Sequence, residues 1–178
     1  MILITGAGGL IGSAVSKFFL KKKFQVLGIE NNKRKFFFGK KADIRDNILE
    51  LKKNKKFKFL HADINNTFII NKIYKTNKIV LTIHAAAQPS HDWSASDPLM
   101  DYKVNAVGTL NLLENVRKYR PNSQFIFLST NKVYGDYVNS LNYVEKKSRY
   151  EVEKKYKNGF DESINIDNSL HSPFGASK

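Results

Sequence analysis

Gly6, Gly9 and Gly12 fall three residues apart, directly after Ile2-Leu3-Ile4-Thr5 and at the start of a run with helical spacing. A strand that turns on glycine into a helix gathers free backbone N–H groups and the positive end of a helix dipole at one point, which suits a phosphate. Gly6 permits the tight turn, Gly9 lets a diphosphate approach the backbone, and Gly12 lets the helix lie close to the sheet. Leu10 and Ile11 sit in the first helical turn of the same cradle. The ligand this implies is a dinucleotide. A mere tight turn is the alternative, and the flanking strand and amphipathic helix argue against it.

Other candidates follow later strands. Glu30 ends Phe24–Glu30 at roughly the 20-residue offset where an acid meets the adenosine ribose diol, with Asn31 beside it. A carboxylate there repels a 2′-phosphate and so favours NAD over NADP, although Arg34 lies near in sequence. An ordinary exposed strand-end acid is the plain alternative. Asp63 and Ile64 form an acid–apolar pair able to flank an adenine, though Asp after a strand is also a common turn former. In His84-Ala85-Ala86-Ala87-Gln88 the small residues leave room for a cofactor backbone, and His84 reads as a packed, hydrogen-bonded residue rather than a catalyst.

These residues need a frame. Strand patterns at 2–5, 24–30, 57–64, 78–86 and 124–129 alternate with helical ones at 10–22, 43–53, 66–76 and 99–119. The apolar repeat of the first helix is Leu10, Ile11, Ala14, Val15, Phe18 and Phe19; that of the last is Val104, Val107, Leu110, Leu112, Leu113 and Val116. Alternating units of this size predict an α/β fold, a doubly wound parallel sheet with helices on both faces and ligands at the carboxyl ends of the strands. The polar stretch 136–173 is too long for an ordinary connection and reads as a functional or disordered loop.

The chain has 178 residues, enough for one domain, and no cysteine, which excludes disulfides and thiolate metal sites. Its four histidines form no ligand-like pair, so no metal is expected. No apolar run is long enough for a membrane span or a signal peptide, so a soluble cytoplasmic protein is expected. The net charge of +14 invites a nucleic-acid reading, but only five of the 30 basic residues are arginine and the lysines spread over loops and helix ends. Solvated charge is the simpler account, and no nucleic-acid partner is expected.

The motifs together resemble the extended short-chain dehydrogenase/reductase superfamily, the NAD-dependent epimerase/dehydratase family within it, over essentially the whole chain. The resemblance rests on TGxxGxxG at Thr5–Gly12, the His84-Ala-Ala segment, Asn105 within VNAVGTLNLLE, and STNKVYG at 129–135. HAAAQPSHDW (84–93), STNKVYGD (129–136) and the DES…HSPFGASK tail (161–178) are similar to the CDP-paratose 2-epimerase group, also called CDP-tyvelose 2-epimerase. This implies a Rossmann-like domain, NAD as cofactor, a CDP-sugar substrate, lipopolysaccharide metabolism, and homo-oligomeric full-length relatives. It also implies hydride removal from a sugar carbon and its return to the opposite face.

By position, Thr130 matches the catalytic Ser/Thr and Lys178 the motif lysine, which holds the nicotinamide ribose and lowers the pKa of a neighbouring base. Asn105 matches the structural asparagine. Cofactor contacts are implied for Gly6, Gly9, Leu10, Ile11, Gly12, Glu30, Asn31, Asp63, Ile64, Ala85, Ala86, Ala87, Gln88, Asn105 and Lys178. Substrate contacts are implied for Gln88, Ser90, His91, Thr130, Asn131 and Lys132. Asn131 and Lys132 replace the Asp-Glu pair of the dehydratases, which favours an epimerase over water elimination.

Two departures stand out. The YxxxK motif reads Phe174-Gly-Ala-Ser-Lys178, and a phenyl ring cannot carry a proton. Losing a positioned acid/base costs about 10²–10⁴ in rate, so either another group serves (His171, Ser172 and Tyr134 are nearest in sequence) or the protein is a non-catalytic NAD-binding module. The chain also stops at Lys178, where a further strand and a C-terminal substrate domain are expected, so a truncated reading frame or fragment is expected.

Overall fold

The computed structural model describes residues 1–152 and 154–178. Its centre is β1 (Ile2–Thr5), buried at every position because β2 (Val26–Glu30) and β4 (Leu81–His84) pair with it on either side, both parallel. β3 (Phe57–His61) lies outside β2 and β5 (Gln124–Phe127) outside β4, again parallel. The resulting order, β3-β2-β1-β4-β5, reverses between β1 and β4, and a crevice opens at the carboxyl ends there. This is the Rossmann-like sheet expected from the sequence.

Alternation along the strands supplies two cores. Ile2, Ile4, Val26 and Ile83 meet Leu20 of α1 (Leu10–Lys21) and Ile48 and Leu51 of α3 (Arg45–Lys52). Leu3, Leu27 and Ile29 point the other way, to Ile70, Ile73 and Tyr74 of α4 (Thr67–Thr76) and Leu112 and Val116 of α7 (Gly108–Tyr119). Short helices that the sequence did not signal follow β2 and β4: α2 (Arg34–Phe38) and α5 (His91–Ser96). No helix among the described residues is long and apolar enough to cross a membrane.

Two helical faces differ from the sequence expectation. On α1 the buried residues are Gly12, Ser13, Ser16 and Leu20, while Leu10 is 80% and Phe18 56% exposed. The reason is distance: a Cβ on Gly12 would collide with the Gly6 carbonyl oxygen, so the start of the helix lies too close to the sheet for bulky side chains. Further along, Val15 and Phe19 of the repeat pack partly buried against the core. The long helix at 99–119 begins instead with α6 (Pro98–Tyr102), runs through a π turn at Lys103–Val107, and continues as α7. Of its apolar repeat, Leu112 and Val116 are buried but Val107, Leu110 and Leu113 are exposed.

The stretch 136–173 is not a structureless loop. Asp136 N–H donates to the Leu170 carbonyl (3.0 Å) and the Leu170 N–H to Asp136 Oδ1 (2.8 Å), pinning its two ends together. Between them, β6 (Tyr143–Glu145) and β7 (Tyr150–Val152) form an antiparallel hairpin; Glu153 lies outside the described residues. The stretch leads to α8 (Pro173–Ala176), capped by Ser172 Oγ accepting from the Gly175 N–H (3.2 Å).

Candidate active site

A groove of about 360 Å³ runs across the carboxyl ends of the strands. The glycine turn forms its floor, with Gly6, Gly9, Leu10, Ile11 and Gly12 in the lining. Gly6 adopts φ +66°, and a Cβ there would lie 2.7 Å from the Ala86 nitrogen, so only glycine lets the turn pass the end of β4. A Cβ on Gly9 would meet only the Gly6 oxygen at 3.3 Å. As the cap of α1, Gly9 offers no side chain to the first N–H groups of the helix. Those donors are left for an anion.

At one end stand Glu30, Asn31, Asp63 and Ile64. Glu30 spans the turn: Oε2 accepts from the Gly8 N–H (3.2 Å), and Oε1 from the N–H groups of Asn31 (2.9 Å) and Asn32 (3.1 Å). Asp63 accepts from Asn31 Nδ2 (3.1 Å), the Asn65 N–H (2.9 Å) and Lys33 Nζ (2.8 Å). Burial raises its pKa, but Lys33 and these donors together hold it below the ordinary carboxylate value. Ala85, Ala86 and Ala87 line the middle, and Thr130, Phe174 and Lys178 the other end.

Thr130, Phe174 and Lys178 come together because α8 packs on the 3-10 turn Asn131–Tyr134; a Cβ on Gly175 would collide with the Lys132 carbonyl. Lys178 Nζ donates to the Leu128 carbonyl (2.8 Å) and lies 4.9 Å from the Phe127 ring centroid. Burial pulls its pKa below the ordinary lysine value, and the Asp101 charge opposes that.

Six site candidates from the sequence lie outside the groove lining. Gln88 and Asn105 are each 1% exposed. The Gln88 N–H donates to Asn105 Oδ1 (2.8 Å) and its Nε2 to Asp101 Oδ1 (2.7 Å); Asn105 Nδ2 also reaches Ser177 Oγ (3.1 Å). Ser90 caps α5 through the Trp93 N–H (3.2 Å). Asn131 and Lys132 are exposed. His91, also exposed, packs edge-on against Phe174 with centroids 6.4 Å apart. Of the neighbours considered for the missing phenol, Ser172 is occupied as a cap and His171 packs on Gly135.

His84 is buried between two threonines, Nδ1 2.7 Å from Thr5 Oγ1 and Nε2 2.9 Å from Thr109 Oγ1. The Thr109 hydroxyl proton goes to the Asn105 carbonyl, so Nε2 carries the ring proton and Nδ1 accepts from Thr5. Burial, and then the Lys178 charge, push His84 down to about 3. It is a neutral strut.

Sequence reasoning missed Asp101, Ser177 and Thr109 in this network, and Phe37, Pro89, Val104 and Leu128 in the groove wall. Pro89 and Leu128 could have been found from their position soon after a strand, and Ser177 from its place beside the motif lysine. Asp101, Val104 and Thr109 sit in the helical segment 98–119 and carried no such signal.

The profile of the GDP-mannose 4,6 dehydratase family matches residues 3–158. The chain belongs to that family. Within the family, it is 37% identical over 177 residues to the CDP-paratose 2-epimerase of Salmonella typhi, a match covering 99% of this chain and 49% of the relative. It is 32% identical over 143 residues to the dTDP-glucose 4,6-dehydratase of Salmonella typhimurium, covering 76% of this chain and 38% of that protein. Among solved structures, the Thermus thermophilus UDP-glucose 4-epimerase in complex with NAD superposes with a TM-score of 0.67 and 27% identity, covering 99% of this chain and 47% of that one. The chain therefore spans about half the length, or less, of the relatives it matches.

Proposed function

We propose that residues 1–178 form the NAD-binding unit of a nucleotide-sugar epimerase acting on a CDP-sugar, with 136–173 as its active-site segment. One observation carries this: a single groove joins the acids Glu30 and Asp63, the open glycine turn, and the Thr130–Lys178 end. That sequence of features suits an adenosine, a diphosphate and a reacting centre, in that order. The similarity to the CDP-paratose 2-epimerase supports the choice of nucleotide and reaction.

Bound NAD supplies a hydride acceptor that can return the hydride to the opposite face of a sugar carbon. The chain does the rest. Leu10 and Ile11 would hold the diphosphate with the free N–H groups of the first helical turn. Gly9 leaves room for its approach while its own N–H closes the turn on the Gly6 carbonyl, and Glu30 would accept from the ribose diol. The Thr130 hydroxyl would position the reacting sugar oxygen. The Lys178 charge at the same end of the groove favours the alkoxide formed when that oxygen gives its proton to solvent water, because Phe174 cannot take it. Asn131 and Lys132 provide no carboxylate pair to expel water, which favours epimerisation over dehydration.

Phe174 favours a second reading, a non-catalytic NAD-binding module. Two measurements test both. Calorimetry with NADH should show binding; absence of heat at millimolar NADH from folded protein removes both readings. NMR of a CDP-sugar incubated with NAD-loaded protein should then show inversion at one ring carbon. Turnover that appears only in Phe174→Tyr establishes the second reading.

A further inference from the structure

We propose that Phe36, Phe37 and Trp93 form an aromatic strap across the groove that sets how long the dinucleotide stays bound; this rests on the dinucleotide reading above. The topology places the strap. α2 follows β2 and leads to α3 on one face of the sheet, whereas α5 follows β4 and leads through α6 to α7 on the other. Those two strands flank β1. A contact between the segments therefore spans the carboxyl end of β1, where the glycine turn lies.

The contact is made by rings. Trp93 stands 5.4 Å from Phe36 and 5.6 Å from Phe37, centroid to centroid, and its Nε1–H donates to the Phe37 carbonyl (3.3 Å). Phe37 is part of the groove wall with Gly9. Trp93 lies outside the lining and holds Phe37 in place.

The two ends are unequally anchored. α5 is capped by Ser90 and buries Ser94. α2 buries none of its residues, and Phe36 is 66% exposed. It lies between Asn32 (φ +58°) and Gly39 (φ +74°), with nothing within 4 Å of a Cβ at Gly39. The ion pair Lys35–Asp43 (3.5 Å) also holds α2, and Lys33–Asp63 (2.8 Å) its start, but such partly exposed pairs contribute little, so the closed position depends chiefly on Trp93. A dinucleotide under the strap leaves when α2 swings away.

NADH displacement by excess NAD+, followed through NADH emission in a stopped-flow instrument, tests this. Trp93→Ala should raise the dissociation rate about tenfold, as expected for loss of two ring contacts, and Trp93→Phe should restore most of it. Phe36→Ala, at an exposed position, should act in the same direction and guards against a Trp93 variant that fails to fold. Trp93 is the only tryptophan, so wild-type indole emission should change when NADH binds. Dissociation within twofold of wild type in every folded variant overturns the strap while leaving the dinucleotide site standing. Failure of the wild type to bind NADH overturns both.

Discussion

Gln88 and Asn105 bond each other reciprocally: the Gln88 N–H donates to Asn105 Oδ1 at 2.8 Å, and Asn105 Nδ2 donates to the Gln88 carbonyl at 3.3 Å. The pair ties the end of β4 to the π turn. Through Ser177 it also ties both to α8, which carries Phe174 and leads to Lys178.

Removing this tie should therefore act on stability and on the site together. Asn105→Ala leaves the buried Gln88 N–H without its acceptor and takes one donor from Asp101, whose Oδ2 already lacks a partner. We expect a loss of about 3 kcal/mol in urea unfolding. Faster amide exchange in α8 should accompany it. A variant as stable as wild type would mean that the network is not what holds this corner.

His84 makes stability depend on pH. Its folded pKa of about 3 lies well below the ordinary histidine value of 6.5. Between those values the unfolded chain binds the extra proton, so this contribution is complete above 6.5 and is lost as pH falls toward 3. The slope should approach about 1.4 kcal/mol per pH unit in that window. Urea midpoints from pH 7 to 5 measure it, and His84→Gln should flatten the dependence.

The glycines of the turn should separate folding from binding. Gly12→Ala drives a Cβ into the Gly6 carbonyl and should destabilise by about 2 kcal/mol. Gly9→Ala meets one oxygen at 3.3 Å, which costs little in the folded protein. Its methyl group intrudes where the diphosphate must approach, so NADH affinity should fall at least about tenfold. Thermal melts and calorimetry on both variants would show whether the two effects divide this way.

Cofactor choice should follow Glu30. Glu30→Gln keeps one of the two oxygens that accept from the turn and removes the charge that repels a 2′-phosphate, and Lys33 and Arg34 stand in the same wall. The preference for NADH over NADPH should shrink about tenfold. An unchanged ratio of dissociation constants would assign the selectivity elsewhere.

The sequence by itself determined the sheet and the cradle. Short apolar strand runs, helical repeats and Gly6, Gly9 and Gly12 are local signals, because propensity, turn chemistry and backbone freedom act within a few residues. Tertiary structure decided which face of α1 is buried: the close approach at Gly12 leaves room for Ser13 and Ser16, so Phe18 stays outside. It also decided that Gln88 and Asn105 are buried in a network instead of lining the groove, and that Trp93 reaches Phe37 across β1. These depend on partners 17 to 72 residues apart in the chain, and no local pattern encodes a contact whose halves meet only when the sheet has formed.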